Sequence, residues 1–227
     1  MDTVQEIRVA IQSLSSTERR ELEAWLYGLA EGEDHVSEPA VAYAEPSGSK
    51  LSVEDYLRFE EVGAVRHEYV GGQLFAMTGA TKRHSVISLN VAIALQAHLR
   101  GGPCRTYVQD VKIRLTVGRD EIFYYPDVSV ACGPQDLEKV FLTDPKLVVE
   151  VLSPSTERVD RGEKALNYRE IPALEEYVLI AQHKPEVTLY RRSEDWCAQV
   201  LKQPDAAAEL RSIALTLPLD RIYEGTR

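Results

Sequence analysis

At 227 residues, the chain can form one domain with a well-buried core plus a short appendage, and its 44% hydrophobic and 27% charged residues are those of an ordinary globular protein. No apolar run approaches bilayer length, and Met1-Asp2-Thr3-Val4-Gln5-Glu6 lacks the basic-then-apolar order of a signal peptide, so no membrane association is expected and the cytoplasm is the expected compartment. The net charge of −10 counts against a general nucleic-acid coat protein, which would present a basic surface.

The charge is unevenly spread. Residues 1–50 carry ten acids against four bases, while the rest of the chain carries 26 acids against 22 bases. Several of those remaining acids could share one site, where a bound cation would neutralise them. Cys104, Cys132 and Cys197 stand far apart, odd in number and without a C-x-x-C pair. The spacing argues against a disulfide framework and a zinc site, fits a reducing compartment, and makes all three small strand-packing side chains.

In chain order, Val4, Ile7, Ile11 and Leu14, then Leu22, Trp25, Leu26 and Leu29, repeat at helical spacing. Ser15-Ser16-Thr17-Glu18 between them reads as a capping box, which predicts a helical hairpin over residues 1–32. Two short helices bury little alone, so this appendage should pack on the main domain, on a second copy of the chain as a homodimer, or on a protein partner. Residues 33–50, with Pro39, Pro46 and Gly48, read as a linker.

The main domain is placed at residues 51–227. Ser52-Val53-Glu54-Asp55 predicts a capped helix carrying Tyr56, Leu57 and Phe59. His67–Val70 and Gln73–Met77 flank Gly71-Gly72, a hairpin with a glycine turn. From Lys82 to Arg100 the pattern is helical, with Val86, Leu89, Ile93 and Gln96-Ala97 assigned to one face. Arg105–Gln109, Val111–Val117 and Ile122–Ala131 read as strands, the second with Lys112, Arg114 and Thr116 on a wet face. Lys146–Leu152 is apolar on both faces, as a central strand should be. A helix over Asp160–Arg169 and strands over Glu176–Ala181, Glu186–Arg191 and Trp196–Lys202 complete the reading.

Glu150 is the anomaly. A carboxylate inside a Val/Leu strand is costly to bury unless paired, protonated or bound to a cation. Asp127, after Pro126 and before Val128-Ser129-Val130-Ala131, is a second. Two adjacent strands carrying one carboxylate each could place both around a magnesium ion, which takes oxygen ligands and keeps several waters. The competing readings are a strand-start acid capping its own backbone for Asp127 and an ion-paired buried acid for Glu150.

The stretches YYPDVSVACG, PKLVVEVLSPST and DRGEKALNYREIPALEEYVLI, in that order, resemble the Uma-type restriction endonucleases of the PD-(D/E)xK nuclease superfamily. The resemblance runs from about Ser52 to Gly225 and is most specific between Tyr125 and Ile180. It implies an α/β (α+β) restriction-endonuclease-like fold, a mixed central sheet flanked by helices. It also implies Mg²⁺ or Mn²⁺ held by Asp127 and Glu150, and phosphodiester hydrolysis. The superfamily's usual lysine two residues after the acid is here Leu152. The resemblance supplies a substitute on the next helix, Lys164, four residues from both Asp160 and Tyr168. Read from spacing alone, Asp160 and Lys164 are equally a surface ion pair. Glu68 resembles the family's upstream acid, or is an exposed hairpin acid. His84 is a candidate for phosphate contact or proton transfer, or is a solvated residue of a helix's first turn. Asp110 fits a turn carboxylate better than a site residue. Ser153-Pro154-Ser155-Thr156 lacks a nucleophile elbow and reads as a loop and helix cap.

These readings converge on a metal-dependent endonuclease with DNA as its substrate, its phosphates met by bases such as Lys82, Arg83, Lys112, Arg114, Arg158 and Arg161. The alternative is a nuclease-fold module, weak or inactive in catalysis, that binds protein or nucleic acid through its N-terminal helices.

Overall fold

The computed structural model describes residues 50–226 apart from Thr78 and Pro204, together with Ile11, Leu14 and Glu18. The helical hairpin expected over residues 1–32, and the linker up to Lys50, fall outside the described residues. The chain forms two compact units that interleave in sequence. Among the described residues, one comprises Lys50–Met77 together with Leu115–Phe123, the other residues 79–114 with 124–226.

The first unit starts with helix α1 (Val53–Val62), whose Ser52 hydroxyl accepts the Asp55 N–H at 3.1 Å as the sequence predicts. Strands β1 (His67–Val70) and β2 (Gln73–Ala76) form the expected antiparallel hairpin. Its two central residues, Gly71 and Gly72, have φ of 55° and 102°, the doubly positive pair that a twisted two-residue turn requires. Tyr69 and Val70 pair with Phe123 and Ile122 of β5 (Asp120–Tyr124). Tyr56, buried completely, stacks on Tyr69 at 4.9 Å and packs against Phe123 at 5.1 Å, while its hydroxyl donates to the His67 carbonyl.

The second unit is built on a six-stranded mixed sheet. The chain's remaining strands are β3 (Cys104–Val108), β4 (Lys112–Val117), β6 (Val128–Cys132), β7 (Phe141–Leu142), β8 (Pro145–Leu152), β9 (Glu176–Ala181), β10 (Val187–Arg191), β11 (Gln199–Leu201), β12 (Ala207–Leu210) and β13 (Leu215–Pro218), of which β3, β6 and β8 to β11 form this sheet while β12 pairs with β13 alone. The sheet order is β11-β10-β9-β8-β6-β3, with β8 parallel to β9 and the remaining pairs antiparallel. Its helices are α2 (Lys82–Leu99), α3 (Glu157–Arg161), α4 (Glu163–Arg169) and α5 (Leu219–Ile222).

Strand periodicity assigns the two faces. Leu147, Val149 and Val151, with Val128, Val130, Val178 and Ile180 beside them, form a core with Ile87, Val91 and Leu95 of α2. The intervening positions, Val148, Glu150 and Leu152, point to the opposite face, and there Glu150 meets α4. The sheet is therefore covered by α2 on one side and by α4 on the other, the mixed sheet flanked by helices that the sequence implies. β8 is apolar on both faces because both faces are buried.

Four sequence expectations need correction. The helix 82–99 is present, but its buried face is His84, Ile87, Ser88, Val91 and Leu95, whereas Leu89 and Ile93 are 57% and 58% exposed. Apolar residues lie on both sides of this helix, so periodicity alone did not choose between them. The run 122–131 is two strands, not one. Pro126 has no N–H for a ladder and fixes its own φ, so the chain breaks between β5 and β6. Lys112, placed on a wet face, is buried, with its ammonium 5.2 Å from the Tyr125 ring centre. Finally, Cys104 and Cys132 are not separate thiols. The antiparallel β3–β6 register sets them opposite each other and they form a disulfide, while Cys197 is free and exposed. The cysteines therefore do not imply a reducing compartment. No helix among the described residues is long and apolar enough to cross a membrane.

The C-terminal turn is fastened by Tyr223. Its hydroxyl lies 2.8 Å from the Ala181 carbonyl and 2.9 Å from the Glu186 carbonyl as donor, and accepts the Glu186 N–H at 3.0 Å. Burial pushes this phenol up to about 12. The unfolded phenol ionises near 10, so the stability tied to the protonated hydroxyl is complete below pH 10 and is lost as pH climbs towards about 12. Urea midpoints of the wild type should fall across that window, and Tyr223→Phe should be less stable at neutral pH yet show a flatter alkaline decline. An equally steep decline in the variant would remove Tyr223 as the cause.

Candidate functional site

The carboxylates of Asp127 and Glu150 come together because β6 and β8 are neighbours, with Val128 opposite Val149. The Asp127 N–H donates to Glu150 Oε2 at 3.3 Å, and Asp127 Oδ2 accepts the N–H of Val151 at 2.7 Å. Each acid thus holds the other's strand end in place. Asp127 lies in the break between β5 and β6, one residue ahead of β6, and its side chain reaches across to β8.

His84 enters from α2. Thr81 caps that helix, accepting the His84 N–H at 3.1 Å and donating to Gln182 Oε1 at 2.7 Å. The imidazole Nε2 then sits 2.7 Å from Asp127 Oδ1. A carboxylate only accepts, so Nε2 is the nitrogen that carries the proton. His84 is therefore neither solvated nor confined to capping: it is a buried orienting partner of Asp127.

From the opposite side, Lys164 Nζ lies 3.3 Å from Glu150 Oε1 and 3.3 Å from Asp160 Oδ1. It also faces the Tyr124 ring, 5.3 Å from its centre. The Tyr168 hydroxyl donates to the same Glu150 oxygen at 3.3 Å. The expected single helix over 160–169 is broken at Gly162, whose ψ of −97° leaves the helical region, yet the Asp160–Lys164 spacing survives the break. The surface ion-pair reading is wrong on burial, because the side chains of Lys164 and Asp160 are 6% and 3% exposed. Burial pushes the Asp160 carboxyl above the ordinary carboxylate range, with Lys164 pulling the other way.

Three residues that the sequence reading passed over complete this wall. The Tyr124 hydroxyl donates to Glu163 Oε1 at 2.6 Å and accepts from Asn167 Nδ2 at 2.8 Å, so α4 fixes the ring that Lys164 faces. Glu163 and Asn167 are buried polar residues inside a short helix, a signal that the helical pattern alone does not separate from a solvated face. Glu68 belongs to the first unit, on β1 opposite Phe75. Asp110 is an exposed turn residue between β3 and β4. Ser153 and Thr156 bond each other in a loop cap ahead of α3. Of the other bases, Lys82, Arg83 and Arg158 are exposed, whereas Arg161 is engaged by Glu157 and Glu186.

The donor set suits a hard divalent cation. Two carboxylates from neighbouring strands offer the oxygen ligands that Mg²⁺ takes, with its other positions left for water and phosphate. Among the described residues no group of three or more His, Cys, Asp or Glu side chains is placed to hold a metal ion.

Comparison with known proteins agrees with this fold. A curated protein of Synechocystis, slr1290, described as uncharacterized, is 43% identical over 178 residues, spanning 78% of this chain and 93% of its own length. A second Synechocystis protein, sll1609, also described as uncharacterized, is 32% identical over 164 residues, spanning 70% and 92%. The crystal structure of a "putative nuclease belonging to DUF820" from Anabaena variabilis superposes with a TM-score of 0.60 at 19% identity, covering 71% of this chain and 91% of that one, and so shares the fold. The family model Uma2, described as "Putative restriction endonuclease", matches residues 53–220. The chain belongs to the Uma2 family.

Proposed function

We propose that this protein is a divalent-metal-dependent endonuclease that hydrolyses phosphodiester bonds in DNA. The observation that carries the reading is the meeting of Lys164 with Glu150, at 3.3 Å in a buried site already shared with Asp127. In this reading, Asp127 and Glu150 hold Mg²⁺ or Mn²⁺. When bound, the ion supplies Lewis-acid polarisation of a phosphoryl oxygen and a lowered pKa for water. His84 fixes the rotamer of Asp127 through Oδ1. Lys164 contributes the positive charge that Leu152, buried two residues after Glu150, does not. From there it can orient the attacking water and offset charge that develops on the phosphate. Lys82, Arg83 and Arg158 meet phosphates along the strand. Assembly as a homodimer is part of the same proposal.

Calorimetric titration of Mn²⁺ and Mg²⁺ into the wild type and into the Asp127→Ala/Glu150→Ala double variant tests this, alongside cleavage of plasmid and single-stranded DNA. Metal binding and cleavage should both vanish in the double variant. Metal binding without cleavage of either DNA would move the activity to another phosphate ester. Absence of metal binding by the folded wild type would end the catalytic reading.

A further inference from the structure

Glu150 is the partner through which Lys164 enters the site, but a metal ion would draw on that same carboxylate. A buried ammonium needs an opposite charge within a few ångströms to remain charged. Asp160 supplies a second one. Its Oδ1 lies 3.3 Å from Lys164 Nζ as an ion pair, its side chain is 3% exposed, and that oxygen has no hydrogen-bond partner among the described residues, so charge and not an aligned bond ties it to the ammonium. The remainder of Asp160 is anchored independently of Lys164. Its carbonyl accepts from the Tyr177 hydroxyl at 2.9 Å, and its N–H donates to the Thr156 carbonyl at 2.9 Å. The break at Gly162 puts Asp160 on α3 and Lys164 on α4, so the pair spans two helices.

We infer that Asp160 is a positioning residue: it holds the Lys164 ammonium at the site when Glu150 is engaged by the metal, without itself touching metal or substrate. The inference rests on the nuclease reading for its catalytic consequence and on the geometry of α3 and α4 for the hold itself. The ammonium is seated between Asp160 on one side and Glu150 on the other, with the Tyr124 ring as a third wall. If Glu150 turns towards a cation, Asp160 and the ring remain. Displacing a catalytic group by about 1 Å can cost on the order of 10²-fold in rate.

The test has two arms that fail separately. In the first, the Lys164 side-chain ammonium is observed by ¹H–¹⁵N correlation in full-length protein, with and without Mg²⁺. Its cross-peak is visible only while its protons are held in hydrogen bonds and protected from exchange, and Lys164→Arg assigns it. The peak should be present in the wild type with Mg²⁺, absent in Asp160→Ala, which leaves no acceptor at this position, and restored in Asp160→Glu, with thermal melting showing all three folded. Persistence of the peak in Asp160→Ala with Mg²⁺ overturns the inference. Should Asp160→Ala fail to fold, Asp160→Val is compared with Asp160→Glu by the same criterion. In the second arm, cleavage of plasmid DNA should lose on the order of 10²-fold in kcat in Asp160→Asn with KM within twofold, and Asp160→Glu should recover part of that loss. A matched loss in kcat and in metal affinity would instead make Asp160 part of the metal site and overturn the positioning role. A wild type that cleaves nothing refutes the nuclease reading, while the spectroscopic arm still decides whether Asp160 holds Lys164.

Discussion

Glu150→Gln should yield a folded protein, no less thermally stable than the wild type, in which Mg²⁺-dependent DNA cleavage falls by on the order of 10³-fold. Glutamine keeps the volume of the side chain, and its carbonyl oxygen can still accept from Lys164 and Tyr168 as Glu150 Oε1 does. What it removes is one of the two carboxylates, Glu150 and Asp160, that flank a single lysine, with Asp127 beside Glu150. In metal-free protein those like charges oppose each other, so neutralising one relieves repulsion. The cost includes the 3.3 Å contact from the Asp127 N–H and the charge of the Lys164–Glu150 ion pair, for which Asp160 remains as the counter-charge of Lys164. Melting temperature and cleavage rate should therefore separate, with stability kept and activity lost, as is common where a site is built against its own stability. Mn²⁺ calorimetry on the same variant should show binding lost or greatly weakened. Cleavage within a few-fold of the wild type would take Glu150 out of the metal site.

The largest loss of stability should follow Arg191→Met. Arg191 is 1% exposed on β10 and is bonded on every side. Its Nε donates to Glu176 Oε1 at 3.0 Å, its Nη1 to Glu194 at 3.0 Å and Gln199 at 2.7 Å, and its Nη2 to the Glu209 carbonyl at 2.9 Å. Glu176, equally buried, also accepts the N–H groups of Arg211 and Ser212 and the Ser212 hydroxyl. The pair thus ties β9 and β10 to the turn that leads into β13. Removing the guanidinium leaves the Glu176 charge buried with only neutral donors, a loss of about 3–5 kcal/mol. For a domain of this size that is roughly 6–20 °C in Tm. Adding Glu176→Gln to Arg191→Met should recover part of the loss, since the stranded charge is then gone. Urea denaturation of the single and double variants measures both. A double variant as unstable as the single one would show that packing, not the uncompensated charge, dominates.

What could be read from the chain was whatever depends on local order. An unbroken apolar run is one form of that order: from Leu147 to Leu152 every position but Glu150 is apolar, which announces a central strand and an acid that requires a partner. The glycine pair 71–72 announces its turn for equally local reasons. What stayed hidden depends on register between distant segments. The β3–β6 pairing that joins Cys104 to Cys132 is a matter of which residues stand opposite, and a 28-residue separation says nothing about that. The same holds for His84, whose bond to Asp127 spans 43 positions. For α2 the difficulty was surplus signal, because Leu89 and Ile93 make as good an apolar row as Ile87 and Val91, and only packing against β6 and β8 decides which row is buried. Lys164 was reached through the family resemblance. Spacing gave an Asp160–Lys164 pair but not its depth.

The disulfide also changes the topology of the covalent chain. Between Cys104 and Cys132 the backbone leaves the second unit at Arg114, contributes Leu115–Phe123 to the first, and returns at Tyr124, just ahead of Asp127. The bond ties the two ends of this excursion into a ring. A backbone cut anywhere within the ring, for instance at the exposed Gly118-Arg119 turn, would leave one covalent molecule until the cystine is reduced. The β6 strand that presents Asp127 therefore stays tethered to its neighbour through a nick that would otherwise divide the protein in two.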